Sequence, residues 1–122
     1  MVQIILKHNR IEFELERSIK YIAEGKYNKA IDCLDIAIEL DPENVTAYIS
    51  RSSAYIMVDN YDKAIEDCNK AIELDPKQAF AYNNLGLAYV SKGDCNKAIE
   101  DYRKAIELDP KQAMFYSGRA AT

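Results

Sequence analysis

The sequence is poor in the residues from which most catalytic and metal sites are built. Its 122 residues include one histidine, no tryptophan, four glycines and three cysteines. No serine or cysteine has a nearby histidine, His8 being the only one, and four glycines offer no phosphate-binding loop. The acidic residues are spread along the chain rather than gathered into a ligand set. We therefore expect a protein that is not an enzyme, with no cofactor and no metal.

The cysteines and the charges also limit where the chain acts. Cys33, Cys68 and Cys95 are widely spaced without a CxxC pair, which favours free thiols in a reducing compartment over disulfides or zinc. Sixteen basic residues against twenty acidic ones give a net charge of −4, so no basic surplus could neutralise phosphates. No stretch is long enough to span a bilayer, and residues 1–7 lack a cleavage signal. We predict a cytoplasmic location, with neither nucleic acid nor membrane as a partner.

The sequence does contain similar segments that recur at one constant interval along the chain. The phrase KAIELDPKQA fills residues 70–79 and again 104–113, and a looser copy, IAIELDPENV, fills residues 36–45. Further series keep the step that separates these copies: Pro42, Pro76 and Pro110; Ala30, Ala64 and Ala98; Ala37, Ala71 and Ala105; Tyr21, Tyr55 and Tyr89; Tyr48, Tyr82 and Tyr116. The chain is therefore a tandem repeat.

Each unit has the pattern of two helices. In residues 79–112, apolar residues recur at helical spacing before and after Gly93-Asp94, and the pair Asp109-Pro110 disfavours further helix. We predict an N-terminal extension at 1–10, with His8 in a frayed segment. Repeats follow at 11–44, 45–78 and 79–112, and part of a fourth at 113–122.

Small residues recur where two helices would have to approach closely. The alanine series at residue 64 and its equivalents is one such set. A second set lies on the first helices, at Ser18, Ser52, Gly86 and Ala120. Only small side chains let two helix backbones approach to the short end of their usual separation. We expect Cys68 and Cys95 at packing positions and Cys33 to be partly exposed.

The third unit resembles the tetratricopeptide repeat in both pattern and length. The residues that carry the resemblance are Tyr82-x2-Leu85-Gly86-x2-Tyr89, then Ala98-x3-Tyr102, then Pro110. The second unit matches with Tyr48, Arg51, Ser52, Tyr55, Ala64, Cys68 and Pro76, and the first matches more weakly. The resemblance implies an all-α fold, an α-solenoid of antiparallel helix pairs wound into a right-handed superhelix. It also implies a protein-interaction scaffold with a peptide or helix bound in its concave groove.

By the family's geometry, the groove is lined by residues of the first helix of each unit. In this chain these are Leu15, Ile19, Ile22, Ile49, Ser53, Ile56, Met57, Phe80, Asn83, Asn84, Leu87 and Val90. The set is apolar with a few neutral polar groups. It could bind a hydrophobic segment, with Asn83 and Asn84 bonding the ligand's backbone. Alternatively, many of these side chains fill gaps between repeats or line an unused surface.

A subset of the family binds acidic C-terminal tails of chaperones through a clamp of lysine, arginine and asparagine. The positions that would need a cation or an asparagine carry other residues here: Leu15, Phe80, Ile19 and Ser50. Asn84 falls where the clamp needs arginine, and a shift by one repeat leaves Ile49 and Met114 at basic positions. Without cations, a terminal carboxylate lacks charge-assisted bonds. A chaperone-tail adaptor is therefore the less favoured alternative.

The final segment raises a different possibility. Residues 113–122 would present Met114, Phe115 and Tyr116 without a second helix to pack on. We predict self-association through this C-terminal edge, giving a homo-oligomer, unless the chain is a fragment of a longer array. Arg51 and Arg119 are expected to be structural, with apolar packing along the stem and a carboxylate or water at the head.

Overall fold

The computed structural model describes residues 1–111, and this part of the chain forms six α-helices joined by short turns. They are α1 (Val2–Ala23), α2 (Tyr27–Leu40), α3 (Val45–Met57), α4 (Tyr61–Leu74), α5 (Ala79–Lys92) and α6 (Cys95–Leu108). None of the described helices is long and apolar enough to cross a membrane. The two helices predicted within 79–112 are confirmed as α5 and α6.

The helices form pairs, and the pairs stack in order along the chain. Helix α1 packs on α2, α3 on α4 and α5 on α6, while α2–α3 and α4–α5 contacts join successive pairs. The first helices also contact one another, α1 with α3 and α3 with α5, whereas the second helices within residues 1–111 have no comparable contact. The first helices therefore lie on the inner side of the stack. The predicted α-solenoid is confirmed.

The turn inside each pair needs a left-handed backbone, and the sequence provides for it at the repeat interval. Gly25 and Gly93 have φ of +76° and +90°, and Asp59, at the equivalent place, has φ of +61°. Glycine adopts this conformation without a side-chain clash. The next helix then begins with a cap, since Asp94 accepts a hydrogen bond from the backbone N–H of Lys97 at 3.1 Å. The predicted break at Gly93-Asp94 is confirmed.

The predicted close-packing positions that lie within residues 1–111 are confirmed. Ala30, Ala64 and Ala98 are buried. A Cβ added to Gly86 would lie 3.0 Å from ring atoms of Tyr102, closer than most Cβ contacts in proteins, so the ring would have to shift. The absence of a side chain at Gly86 therefore makes room for an aromatic ring on the neighbouring helix.

Several sequence-based expectations need correction. His8 is not in a frayed segment, because α1 begins at Val2 and runs through the predicted boundary at residue 10. Cys33 is buried rather than partly exposed, and Cys95 is exposed rather than packed, whereas Cys68 is buried as predicted. Cys95 is the first residue of α6, and no side chain of the described residues covers its exposed side. Met114, Phe115, Tyr116, Ala120 and Arg119 lie outside the described residues.

Candidate protein-interaction surface

The first helices of the pairs carry large apolar side chains that remain accessible to solvent. Five of the predicted groove residues are between 42% and 63% exposed: Ile19, Met57, Phe80, Leu87 and Val90. They come from α1, α3 and α5, the three helices that contact one another. We refer to these five residues as the apolar inner strip. Accessible apolar surface of this kind is typical of a protein-binding site.

Other predicted groove residues contribute both to this surface and to the packing between repeats. Leu15, Ile22, Ile49, Ser53 and Asn84 are half-buried. Leu15 packs against the core cluster of α2 and α3, and Ile49 packs against the cluster that joins α3, α4 and α5. These side chains support the surface and contribute only part of their area to it.

Two predicted groove residues are buried. Ile56 and Asn83 are each only 9% exposed, and Ile56 belongs to the core cluster that contains Ala64 and Ala88. Ile56 therefore packs between repeats, as the alternative for these residues expected. Both side chains are buried, so each offers little area to a partner.

Asn84 is engaged within the protein. Its Nδ2 donates to Ser52 Oγ and Ser53 Oγ, each at 3.0 Å, and so joins α5 to α3. Because the two donors of the amide are used internally, only its carbonyl oxygen could accept a bond from a ligand. The contact fixes the spacing of the two helices that present most of the apolar inner strip.

Arg51 forms a second polar link, which spans three helices. Its guanidinium donates from Nε and Nη2 to Asp67 at 2.8 and 2.7 Å, and from Nη1 to Asp35 at 2.8 Å. Hydrogen bonds to Asp67 raise the pKa of Arg51 above its ordinary value. Burial raises the pKa of Asp67, and the bonds from Arg51 oppose that effect. The structural role predicted for Arg51 is confirmed.

The third repeat lacks this link. Asp101 lies one repeat interval after Asp67, but the residue one interval after Arg51 is Leu85. Asp101 is buried, Lys97 Nζ is 3.5 Å from its Oδ1, and its Oδ2 has no hydrogen-bond partner among residues 1–111. Burial raises the pKa of this carboxyl. The repeats are therefore alike in backbone but differ in their internal polar pairing.

The cations of α3 and α5, two of the three first helices, are already paired with carboxylates. Arg51 on α3 is bonded to two carboxylates, and Lys92 on α5 pairs with Asp62. Within residues 1–111, no three His, Cys, Asp or Glu side chains are grouped so that they could hold a metal ion. The surface is thus suited to apolar contact.

These observations define a class: an α-solenoid of paired helices whose inner side presents apolar residues. A model of the tetratricopeptide repeat matches residues 79–112, and a model of the TPR repeat matches residues 20–59 and 53–93. The chain belongs to the tetratricopeptide repeat family. A search of curated protein sequences found no match.

Solved structures give the same result over nearly the whole chain. The second TPR domain of the human RPAP3 protein, solved with the HSP70 peptide SGPTIEEVD, is 30% identical, with TM-score 0.84 over 95% of this chain and 98% of that one. The Arabidopsis OM64 TPR domain is 29% identical, with TM-score 0.87 over 93% and 95%. The first TPR of Spaghetti (RPAP3), bound to the HSP90 peptide SRMEEVD, is 29% identical, with TM-score 0.81 over 93% and 95%.

Proposed function

We propose that this chain is a non-catalytic protein-interaction scaffold that binds an apolar peptide or helix along the apolar inner strip. The observation that carries the proposal is the exposure of Ile19, Met57, Phe80, Leu87 and Val90 on helices that contact one another. Burial of such side chains by a ligand contributes about 25 cal/mol per Å² of apolar surface. Family membership supports a binding role, because similar TPR domains have been solved with bound peptides.

The partner we propose differs in chemistry from the peptides in those complexes. The peptides SGPTIEEVD and SRMEEVD end in acidic residues. Here the clamp positions carry Leu15 and Phe80, and Arg51 and Lys92 are already paired with carboxylates. A buried carboxylate without a cation lacks the bonds that offset its desolvation. We therefore propose that the ligand is held by apolar side chains rather than by its C-terminal carboxylate.

The test is a selection of peptides on the intact chain, repeated on a strip variant. Leu87→Glu with Phe80→Glu places two charges on exposed positions, so we expect folding to be retained and binding of selected peptides to fall at least about tenfold. Ile5→Glu is the control, since Ile5 is also more than half exposed but lies near the start of α1, outside the apolar inner strip. Circular dichroism checks that the helices are retained in each variant.

The outcomes separate the competing partners. Equal binding by the wild-type chain and the Leu87→Glu, Phe80→Glu variant would refute the apolar inner strip as the site. Tight binding of SGPTIEEVD that disappears when its C-terminal carboxylate is amidated would instead support the chaperone-tail adaptor. We expect weak binding of that peptide, with no dependence on amidation.

Self-association is a second candidate, favoured by apolar residues at both ends of the stack. Phe13 on α1 and Ile106 on α6 are exposed, and Met114, Phe115 and Tyr116 follow α6 in the sequence. Sedimentation of the wild-type chain and of Phe115→Glu tests this candidate. A dimer or larger species that the substitution dissociates supports it, and a monomer at high concentration refutes it.

We further propose a cytoplasmic location. All three cysteines are free thiols, which suits a reducing compartment. Fractionation of cells that express the chain tests this proposal: recovery in the cytosolic fraction supports it, and recovery in a secreted or membrane-enclosed fraction refutes it.

A further inference from the structure

The outer side of α6 carries a stripe whose counterparts on α2 and α4 are covered. The stripe consists of Ile99, Arg103 and Ile106, at helical positions i, i+4 and i+7. Ile99 and Ile106 are 54% and 37% exposed. The repeat interval aligns them with Ile31 and Ile38 on α2 and with Ile65 and Ile72 on α4, which are buried or half-buried. We refer to Ile99, Arg103 and Ile106 as the α6 stripe.

The covered stripes show which kind of helix fits. Ile38 packs against the clusters that contain Ala47 and Tyr48 of α3. On α4, Ile72 packs against the cluster that contains Ala81 of α5, and Ile65 packs against the cluster that contains Ala88 of α5. The incoming helix therefore brings a small residue at each end of the contact, seven positions apart. Ala47 and Ala54 on α3, like Ala81 and Ala88 on α5, are completely buried.

The middle of the contact carries charge. Between α2 and α3, Arg51 of the incoming helix donates to Asp35 at 2.8 Å, and Asp35 lies between the two isoleucines of the α2 stripe. In the α6 stripe this position is Arg103, so the sign is reversed. Arg103 has no ion pair with any residue of the described range 1–111. An incoming helix with arginine at this place would meet a like charge, and one with a carboxylate would complete an ion pair.

The chain's own helices do not provide that carboxylate. The residues at the position of Arg51 in the first unit and in residues 113–122 are Arg17 and Arg119. A second copy stacked on α6 through α1 in the register of the inner repeats would set Arg17 against Arg103. This repulsion disfavours simple head-to-tail stacking of copies and points to a partner of different sequence.

We propose that the α6 stripe is an interaction surface for a partner helix that carries a carboxylate between two small residues. The spacing follows from α3: a small residue at i, aspartate or glutamate at i+4 and a small residue at i+7. The carboxylate pairs with Arg103, and the small residues let Ile99 and Ile106 pack against the partner's backbone, as Ile38 packs on α3.

The test uses two peptides that differ in one residue. Both are copies of residues 45–58 with blocked ends, one with the native sequence and one with Arg51→Glu. Each is titrated into the full ¹⁵N-labelled chain. We expect the Arg51→Glu peptide to shift amide resonances of α6 and to bind about fivefold more tightly than the native peptide, as gain of an exposed ion pair and loss of a repulsion imply. In the Arg103→Glu chain we expect the preference to reverse.

Two further variants identify the surface. Ile106→Glu should abolish binding of the Arg51→Glu peptide, whereas Leu87→Glu, on the apolar inner strip, should leave it unchanged. This separates the α6 stripe from the proposed groove, so either proposal can fail alone. Equal affinity of the two peptides, shifts on α3 and α5 rather than α6, or no binding at millimolar peptide would each overturn the α6 proposal.

Discussion

Replacement of Arg51 by alanine is expected to destabilise the chain far more than the loss of one ordinary hydrogen bond would. The Asp67 side chain is only 6% exposed and accepts two bonds from Arg51, so the variant leaves a buried carboxylate without its cation. Breaking a buried ion pair from one side costs about 3–5 kcal/mol. Because the Arg51 side chain retains 19% exposure, we expect about 2–3 kcal/mol.

Two companion variants make this expectation specific. Asp35 is half-exposed, so Asp35→Ala should cost less than about 1 kcal/mol. Combining Arg51→Leu with Asp67→Cys replaces the pair by residues that the chain itself places there in other repeats, Leu85 and Cys33. This double variant removes the buried charge altogether. Its cost should therefore be well below that of Arg51→Ala.

Urea denaturation followed by circular dichroism measures the free energy of unfolding of each variant. The expected order of destabilisation is Arg51→Ala first, the double variant second and Asp35→Ala last. If Arg51→Ala costs no more than Asp35→Ala, the pair with Asp67 does not behave as a buried one. The account of how α2, α3 and α4 are joined would then be wrong.

Two other predictions concern packing and thiol chemistry. Gly86→Ala should reduce the free energy of unfolding by about 1 kcal/mol, because overpacking against Tyr102 outweighs the gain of about 1 kcal/mol from alanine in a helix. In a Tyr102→Cys background, which removes the ring, Gly86→Ala should cost nothing relative to Tyr102→Cys alone, and no loss in the Gly86→Ala single variant would contradict the tight contact. Alkylation of the native chain at pH 8 should give a single adduct at Cys95, because Cys33 and Cys68 are buried and burial raises the pKa of Cys68 to about 12. Mass spectrometry counts the adducts, and rapid formation of three would contradict this burial.

The architecture could be predicted from the sequence because the same residue types recur at the packing positions of each repeat. Proline, alanine and glycine recur at one interval, and their backbone and volume constraints leave little choice of helix ends and close contacts. Exposure could not be predicted in this way. Ile99 and Ile31 occupy equivalent positions, yet only Ile31 has a following helix packed over it within the described chain.

The composition of the site also depends on contacts that no local pattern reveals. Arg51 on α3 pairs with carboxylates of α2 and α4, and Asn84 on α5 donates to serines of the preceding repeat. Those partners become neighbours only when the repeats stack. The sequence does show that Leu85 replaces Arg51 at the same repeat position. This replacement indicates that the third repeat lacks the arginine that would pair with Asp101.

Amide hydrogen exchange measures most directly whether the helix pairs are stabilised by their neighbours. The pair α3–α4 has a neighbouring pair on each side, through α2 and α5, whereas the pairs that contain α1 and α6 have a neighbouring pair on one side only within residues 1–111. The account predicts the slowest exchange in α3 and α4, with protection decreasing toward residues 2–10 of α1 and toward α6. Protection in α1 or α6 equal to that of α3 and α4 would contradict it.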